Sequence, residues 1–304
     1  DVYKRQSPHT FRIQSRHLLS VSNSRRSSGR TIRHPYGRNH NTTMKTNYHA
    51  HTTRCMHAVG SDEEYVLSVI KGGFQILGFS DHTPWKYRTS YVADMRMLPE
   101  ELPEYIESLQ YLREKYRDQI DIKIGLECEY FPEYIPWLKE QIKKYQLNYI
   151  LFGNHHFHTD EKFPYFGHHT NNRDMLDLYE ESAIEGMESG LYNCLAHPDL
   201  FMRSYPKFDH HCATISRHIC RTAARLNIPL EYNIGYVAYN EEHGLNTYPC
   251  PNFWHIAANE GCTAIIGMDA HNNNDLEVPI YYERALQELK ELKIKTTDTL
   301  KMMY

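Results

Sequence analysis

NYHAHTTRCMHAVG, residues 47–60, places His49, His51 and His57 within nine positions, directly after a short apolar segment. Residues two apart in a strand project from the same face, so His49 and His51 are set to grip one ion. Neutral imidazole is a good donor to zinc, iron or manganese. The chain holds 20 histidines, however, and roughly one His-X-His arises by chance in so His-rich a sequence. The stretch decides the fold only if other strands also end in ligand-type residues.

They do. From Met44 onward, short apolar segments alternate with helical periodicity. The predicted strands are 46–50, 74–80, 121–127, 148–154, 192–197, 228–233 and 262–268. The segments between them carry helix signals. SDEEYVLSVIKGG (61–73) has Ser61 and Glu64 at capping-box spacing and closes on Gly72 and Gly73. PEELPEYIESLQYLREKYR (99–117) repeats apolar residues at 102, 105, 106, 109 and 112, with Pro103 in its opening portion. Further helices are predicted over 132–145, 172–190, 209–227 and 251–261, with a last one near 282–292. Asp209 reads as a helix cap. Seven β/α units in 304 residues predict an α/β chain built as a parallel barrel, a (β/α)7 arrangement.

Barrel enzymes keep their chemistry at the C-terminal ends of the strands. Here those ends read His49-Ala-His51, Ser80-Asp81-His82, Glu127-Cys128-Glu129, Asn154-His155-His156, Ala196-His197-Pro198-Asp199, Glu231-Tyr232-Asn233 and Asp269-Ala270-His271. Each carries a histidine or a carboxylate. One such residue is ordinarily core or surface, but their joint placement on one rim predicts a metal site. So many ligands exceed the needs of one ion or one pair. Three divalent ions fit better, with Glu127 as the bridging carboxylate.

Composition is consistent with this. Hydrophobic residues make up 40%, and no run of about 18 apolar residues is present to span a membrane. Seven cysteines without a Cys-X-X-Cys motif read as free thiols, and the expected location is the cytoplasm. Residues 1–43 hold nine Lys/Arg against one acid, a net of +8, which leaves −12 for the rest of a chain of net −4. That acidic body argues against a nucleic-acid partner. The basic segment resembles a transit peptide in composition but lacks an amphipathic helix. DVYKRQ is also the in-frame translation of a common sequencing adapter. Residues 1–43 are therefore expected to be a disordered, upstream-translated leader, with Met44 the natural start of a single domain over 44–304.

HAHTTRCMH, SDH, GLECEY, NHHF, AHPD and MDAH, in this order, resemble the motifs of the polymerase-and-histidinol-phosphatase (PHP) superfamily of metal-dependent phosphoesterases. Within it, GFSDHTP, MRMLPEELPEYI, IGLECEYFPEY and AHPDLF look most like the histidinol-phosphate phosphatases. The resemblance implies a distorted seven-stranded barrel. It also implies three divalent ions (Zn, Mn or Fe). His49, His51, Glu127 and Asp269 would hold the first ion. Glu127, His156 and His197 would hold the second, and His57, His82 and His271 the third. Glu127, Asp269 and His197 would then be the central catalytic groups. Two departures stand out: MDAH replaces the usual SDAH, and NIGYVAYNEEHGLNTYPCP lacks the expected arginine after strand six.

The expected reaction is in-line attack on a phosphate monoester by water made nucleophilic by the metals. The expected partner is thus a small phosphate ester, here L-histidinol phosphate. Arg203 and Arg96 are the candidate phosphate contacts, because a guanidinium matches phosphate bidentately. His155, His158, His243 and Asp199 are open candidates for protonating the leaving group. PWKYRTSY and FPYFGHH offer aromatic side chains for an imidazole. Competing readings are a phosphoesterase acting on other monoesters or nucleic-acid ends, a metal-binding regulatory protein, and an amidohydrolase-type barrel.

Overall fold

The computed structural model describes residues 44–278 and 280–304; the leader expected over residues 1–43 lies outside them. Strand and helix alternate from the start: β1 (Thr46–Asn47), α1 (Asp62–Lys71), β2 (Ile76–Phe79), α2 (Leu102–Lys115), β3 (Asp121–Cys128), α3 (Ile135–Tyr145) and β4 (Tyr149–Gly153). A short α4 (Phe166–His169) precedes α5 (Arg173–Glu188), β5 (Cys194–Ala196), α6 (His210–Leu226) and β6 (Leu230–Asn233). The last part holds α7 (Val237–His243), α8 (Pro251–Asn259), β7 (Thr263–Gly267), α9 (Ile280–Glu291) and β8 (Lys295–Thr296).

The strands pair in chain order, each parallel to the next. The sheet has eight strands where seven were expected. The extra one, β8, is two exposed residues that pair with the first two residues of β7. Beyond the ladders, His51 N–H donates to Ala270 O (3.0 Å) and Ala270 N–H to His49 O (3.1 Å). The sheet therefore curls until the end of β1 meets the end of β7.

Local rules account for the helix boundaries. Ser61 and Glu64 form the reciprocal capping box at α1. Asp209 caps α6 by accepting from Cys212 N–H at 2.9 Å, and Pro103 sits in the opening turn of α2. α7 was not foreseen in the segment after strand six; it stops at Gly244, whose φ of 63° suits glycine.

Two apolar layers flank the sheet. Inside the curl, Tyr48, Ile76, Tyr149, Leu151, Cys194, Ala196 and Ile265 pack with Leu300 from the C-terminal segment. Outside it, helix residues such as Tyr65, Val69, Leu109, Leu138, Tyr179, Ile219 and Trp254 cover the strands. Each large side chain so buried is worth about 1.5–3 kcal/mol relative to exposure. The C-terminal segment is pinned across the N-terminal ends of the strands, with Met303 N–H on Asn148 O and Asn193 Nδ2 on Lys301 O, both at 2.7 Å. All seven cysteines are buried and free. No helix among the described residues is long and apolar enough to cross a membrane.

Candidate metal centre

The sheet brings the strand-end residues together at its C-terminal rim. His49 Nε2 lies 3.1 Å from His51 Nε2, and 3.4 Å from both Glu127 Oε2 and Asp269 Oδ1. His51 Nε2 lies 3.6 Å from Glu127 Oε2 and 3.2 Å from Asp269 Oδ1. Four donors about 2.1 Å from a central ion at tetrahedral angles are separated by roughly 3.4 Å. The observed separations, 3.1–3.6 Å, match that spacing.

The other oxygen of Glu127 serves a second group. Oε1 lies 2.8 Å from His197 Nε2 and 3.2 Å from His155 Nε2, and the two nitrogens are 3.2 Å apart. Sequence reasoning put His156 here; the structure brings its neighbour His155 instead. His156 Nδ1 donates to Phe163 O at 2.9 Å, and its buried Nε2 has no hydrogen-bond partner among the described residues. Gly153 makes the room, since a Cβ there would stand 2.5 Å from Glu127 Oε1 and 2.6 Å from His155 Cε1.

A third group stacks beside the first. The His271 ring lies 4.1 Å from that of His51 and 4.6 Å from that of His57, and His57 lies 5.7 Å from His82. His82 Nδ1 is 3.1 Å from Glu127 Oε2. His51, His82 and His271 bring their ring nitrogens within reach of one ion. His57 Nδ1 and His271 Nδ1 are held by the backbone carbonyls of Cys55 and Asp269, which leaves Nε2 of each for a ligand.

Carboxylates stand behind these histidines, a role the sequence reading did not give them. Glu231 Oε1 meets His49 Nδ1 at 2.7 Å, and Glu129 Oε1 meets His155 Nδ1 at 3.1 Å. Asp81 Oδ1 lies 3.5 Å from His51 Nδ1. Such partners fix the tautomer and ring orientation of a ligating histidine. The signal lay in the same strand-end motifs, SDH, ECE and EYN. The backbone contributes too: His197 and Asp269 adopt φ of 30° and 46°, the left-handed region, where a non-glycine residue costs about 1–3 kcal/mol. At His197 the peptide N–H is held by Glu231 Oε2 at 3.0 Å.

The electrostatics call for cations. Burial would raise the carboxyl of Glu127, yet His155, His49 and His197 hold it well below its ordinary value. Asp269 is likewise held down against burial, by His49, His51 and His271. Burial lowers the basicity of His155 and His51, but the facing carboxylates outweigh it and push them up to about 10 and about 9. His49 is raised well above its usual range, against burial, by Glu231, Asp269 and Glu127. Burial and the neighbouring His51 bring His82 down to about 3 and His271 well down. In the protein alone, protons on His49, His51 and His155 balance the carboxylates, and metal binding would displace them.

The two candidate arginines part company. Arg96 is buried, and its fork is engaged by Glu129, Asp160 and Thr83 O at 2.9–3.0 Å. A phosphate would have to displace these partners, so the assignment of Arg96 to phosphate is corrected: it is an internal ion-pair residue. Arg203 is half-buried, with its guanidinium 4.7 Å from the Tyr236 ring centre and 6.0 Å from that of Tyr165. Tyr165 in turn lies 5.8 Å from His155, so Arg203 flanks the second group. Of the other candidates, His158 is taken up by Glu185 at 2.6 Å and His243 by Tyr239 O at 2.9 Å.

A family model described as the PHP domain matches residues 47–235. A Deinococcus radiodurans protein named "Probable histidinol-phosphatase" is 28% identical over 259 residues, covering 82% of this chain and 94% of its own length. The histidinol-phosphatase of Bacillus subtilis is 31% identical over 97 residues, 30% of this chain and 35% of that protein. Among solved structures, histidinol phosphate phosphatase from Lactococcus lactis, crystallised with zinc, L-histidinol and phosphate, superposes with a TM-score of 0.66 at 19% identity, covering 86% of this chain and 99% of that one.

Proposed function

The chain belongs to the PHP domain family, and we propose that it is a metal-dependent histidinol-phosphatase, releasing phosphate and L-histidinol from L-histidinol phosphate. The observation that carries this reading is Glu127, whose two oxygens face two separate groups of imidazoles. The near full-length similarity to the Deinococcus relative supplies the substrate.

His49, His51, Glu127 and Asp269 would hold one ion. Glu127, His155 and His197 would hold a second, and His57, His82 and His271 a third. The number rests on the three groups of donors, with Glu127 shared between the first two. Imidazole and carboxylate donors accommodate zinc, manganese or iron.

When bound, the ions supply Lewis-acid stabilisation of the phosphoryl oxygens and lower the pKa of attacking water. The protein orders these donors. Glu127 ties the groups together, the carboxylates behind the histidines keep lone pairs facing inward, and Arg203, braced on Tyr236 and Tyr165, is positioned to meet the phosphate.

The test is phosphate release by protein starting at Met44, reconstituted with metal, on histidinol phosphate, a generic aryl phosphate and a mononucleotide. A large preference in kcat/KM for histidinol phosphate, abolished by Glu127→Gln, is the expected result. Equal or better rates on the other two would reassign the substrate. Turnover by Glu127→Gln near the parent rate would reject the metal chemistry.

A further inference from the structure

The buried Arg96 ends inside the protein, one residue away from a histidine of the metal centre. Its Nη2 donates to Glu129 Oε1 at 2.9 Å and to Asp160 Oδ2 at 3.0 Å, and its Nη1 to Glu129 Oε2 at 3.0 Å and Thr83 O at 2.9 Å. Trp85 Nε1 donates to the same Glu129 Oε2 at 2.8 Å. Glu129 is thereby held in its plane by three N–H groups, and its Oε1 is left against His155 Nδ1 at 3.1 Å. Arg96 and Glu129 are both almost completely buried, so this clamp is not a screened surface pair.

The clamp spans three loops. Thr83, Trp85 and Arg96 follow β2, Glu129 follows β3, and His155 and Asp160 follow β4. Tyr87 closes it by donating to Asp160 at 2.7 Å. Its chemical effect falls on one ring. With Nδ1–H committed to Glu129, the nitrogen left to take an ion, once its proton is displaced, is Nε2, the atom that faces Glu127 Oε1 and His197 Nε2.

We infer that Glu129, clamped by Arg96 and Trp85, is a positioning residue that acts through His155 to set the affinity for the one ion shared by Glu127, His155 and His197. This rests on the metal-centre reading proposed above. Glu231 stands behind His49 in the same way but is bonded by Asn233 in place of an arginine, so the ion expected at His49 has an outer partner independent of Arg96 and Glu129. Outer partners of this kind carry about 10–100-fold of metal affinity.

The experiment compares parent, Glu129→Gln, Trp85→Phe and Glu127→Gln, each loaded with zinc, dialysed against a series of buffered free-zinc concentrations and counted for zinc per chain. Glu129→Gln is expected to weaken one ion by 10–100-fold and leave the rest as in the parent. Trp85→Phe, which removes the indole N–H together with part of the buried ring and leaves Arg96 and Glu129 in place, should weaken the same ion by less. Thermal unfolding in chelator measures the packing cost of the smaller ring by itself, which separates metal affinity from general damage. Unchanged binding in Trp85→Phe and Glu129→Gln, or equal weakening of every ion, overturns the inference. Should Glu129→Gln fail to fold, Trp85→Phe decides alone. A parent whose zinc content is the same as that of Glu127→Gln refutes the metal-centre reading, and this inference with it.

Discussion

Asp199 gives a test of the electrostatics by pH alone. Its side chain is fully buried two residues beyond His197; Oδ2 accepts Cys250 N–H at 2.5 Å, while Oδ1 has no partner among the described residues. Burial outweighs the hydrogen bonds to the carboxyl, Cys250 N–H foremost, and pushes it from 3.8 up to about 7. The folded protein therefore keeps this proton up to about pH 7, whereas the unfolded chain sheds it near 3.8. Between those values the folded state binds more protons, so stability falls as pH rises through the window and levels off above it. At about 1.4 kcal/mol per unit, the full loss is about 4 kcal/mol. Asn at this position keeps an acceptor for Cys250 N–H and cannot ionise. Its buried amide adds only an offset that does not vary with pH, and the parent's decline disappears. Urea unfolding of parent and Asp199→Asn in chelator, from pH 4 to 8, should show the variant gaining on the parent by up to about 4 kcal/mol. A parent–variant difference that stays flat with pH refutes the reasoning.

Other outcomes follow from the centre itself. His155→Ala should remove one tightly bound zinc per chain and most turnover, while His156→Ala keeps the full metal complement, as zinc counting will show. Gly153→Ala forces a methyl against Glu127 and His155; a loss of about 1–3 kcal/mol in urea unfolding and a large fall in kcat are expected. Adding zinc to metal-free protein at pH 7 in weak buffer should acidify the solution, because His51 and His155, at about 9 and about 10, begin protonated. A pH electrode or calorimetry in buffers of different ionisation enthalpy measures it.

Much of the fold was legible because its signals are local. Alternating apolar segments and Ser61, Asp209 and Pro103 at helix starts need no partner far along the chain. β8 escaped because two exposed polar residues carry no periodicity, and α7 because it lies in a polar segment, although Gly244 offered a stop signal. At the site, ligand type was legible and orientation was not. β4 ends at Gly153, so the strand rule no longer says which of the adjacent His155 and His156 points inward. Arg96 looked like a free cation because its partners, Glu129 and Asp160, are 33 and 64 residues away in sequence.

The seam between β1 and β7 has a consequence for the newborn chain. His49 and His51 emerge early in synthesis, but the strand that supplies Asp269 and His271, and that bonds back to His49 and His51, comes more than 200 residues later. Until that strand has left the ribosome, the early histidines have neither their neighbouring backbone nor the carboxylate that completes their cluster. An ion held by His49, His51 and Asp269 would thus have its full set of donors only after residue 269 is made, and it would fasten the first strand of the ring to its seventh.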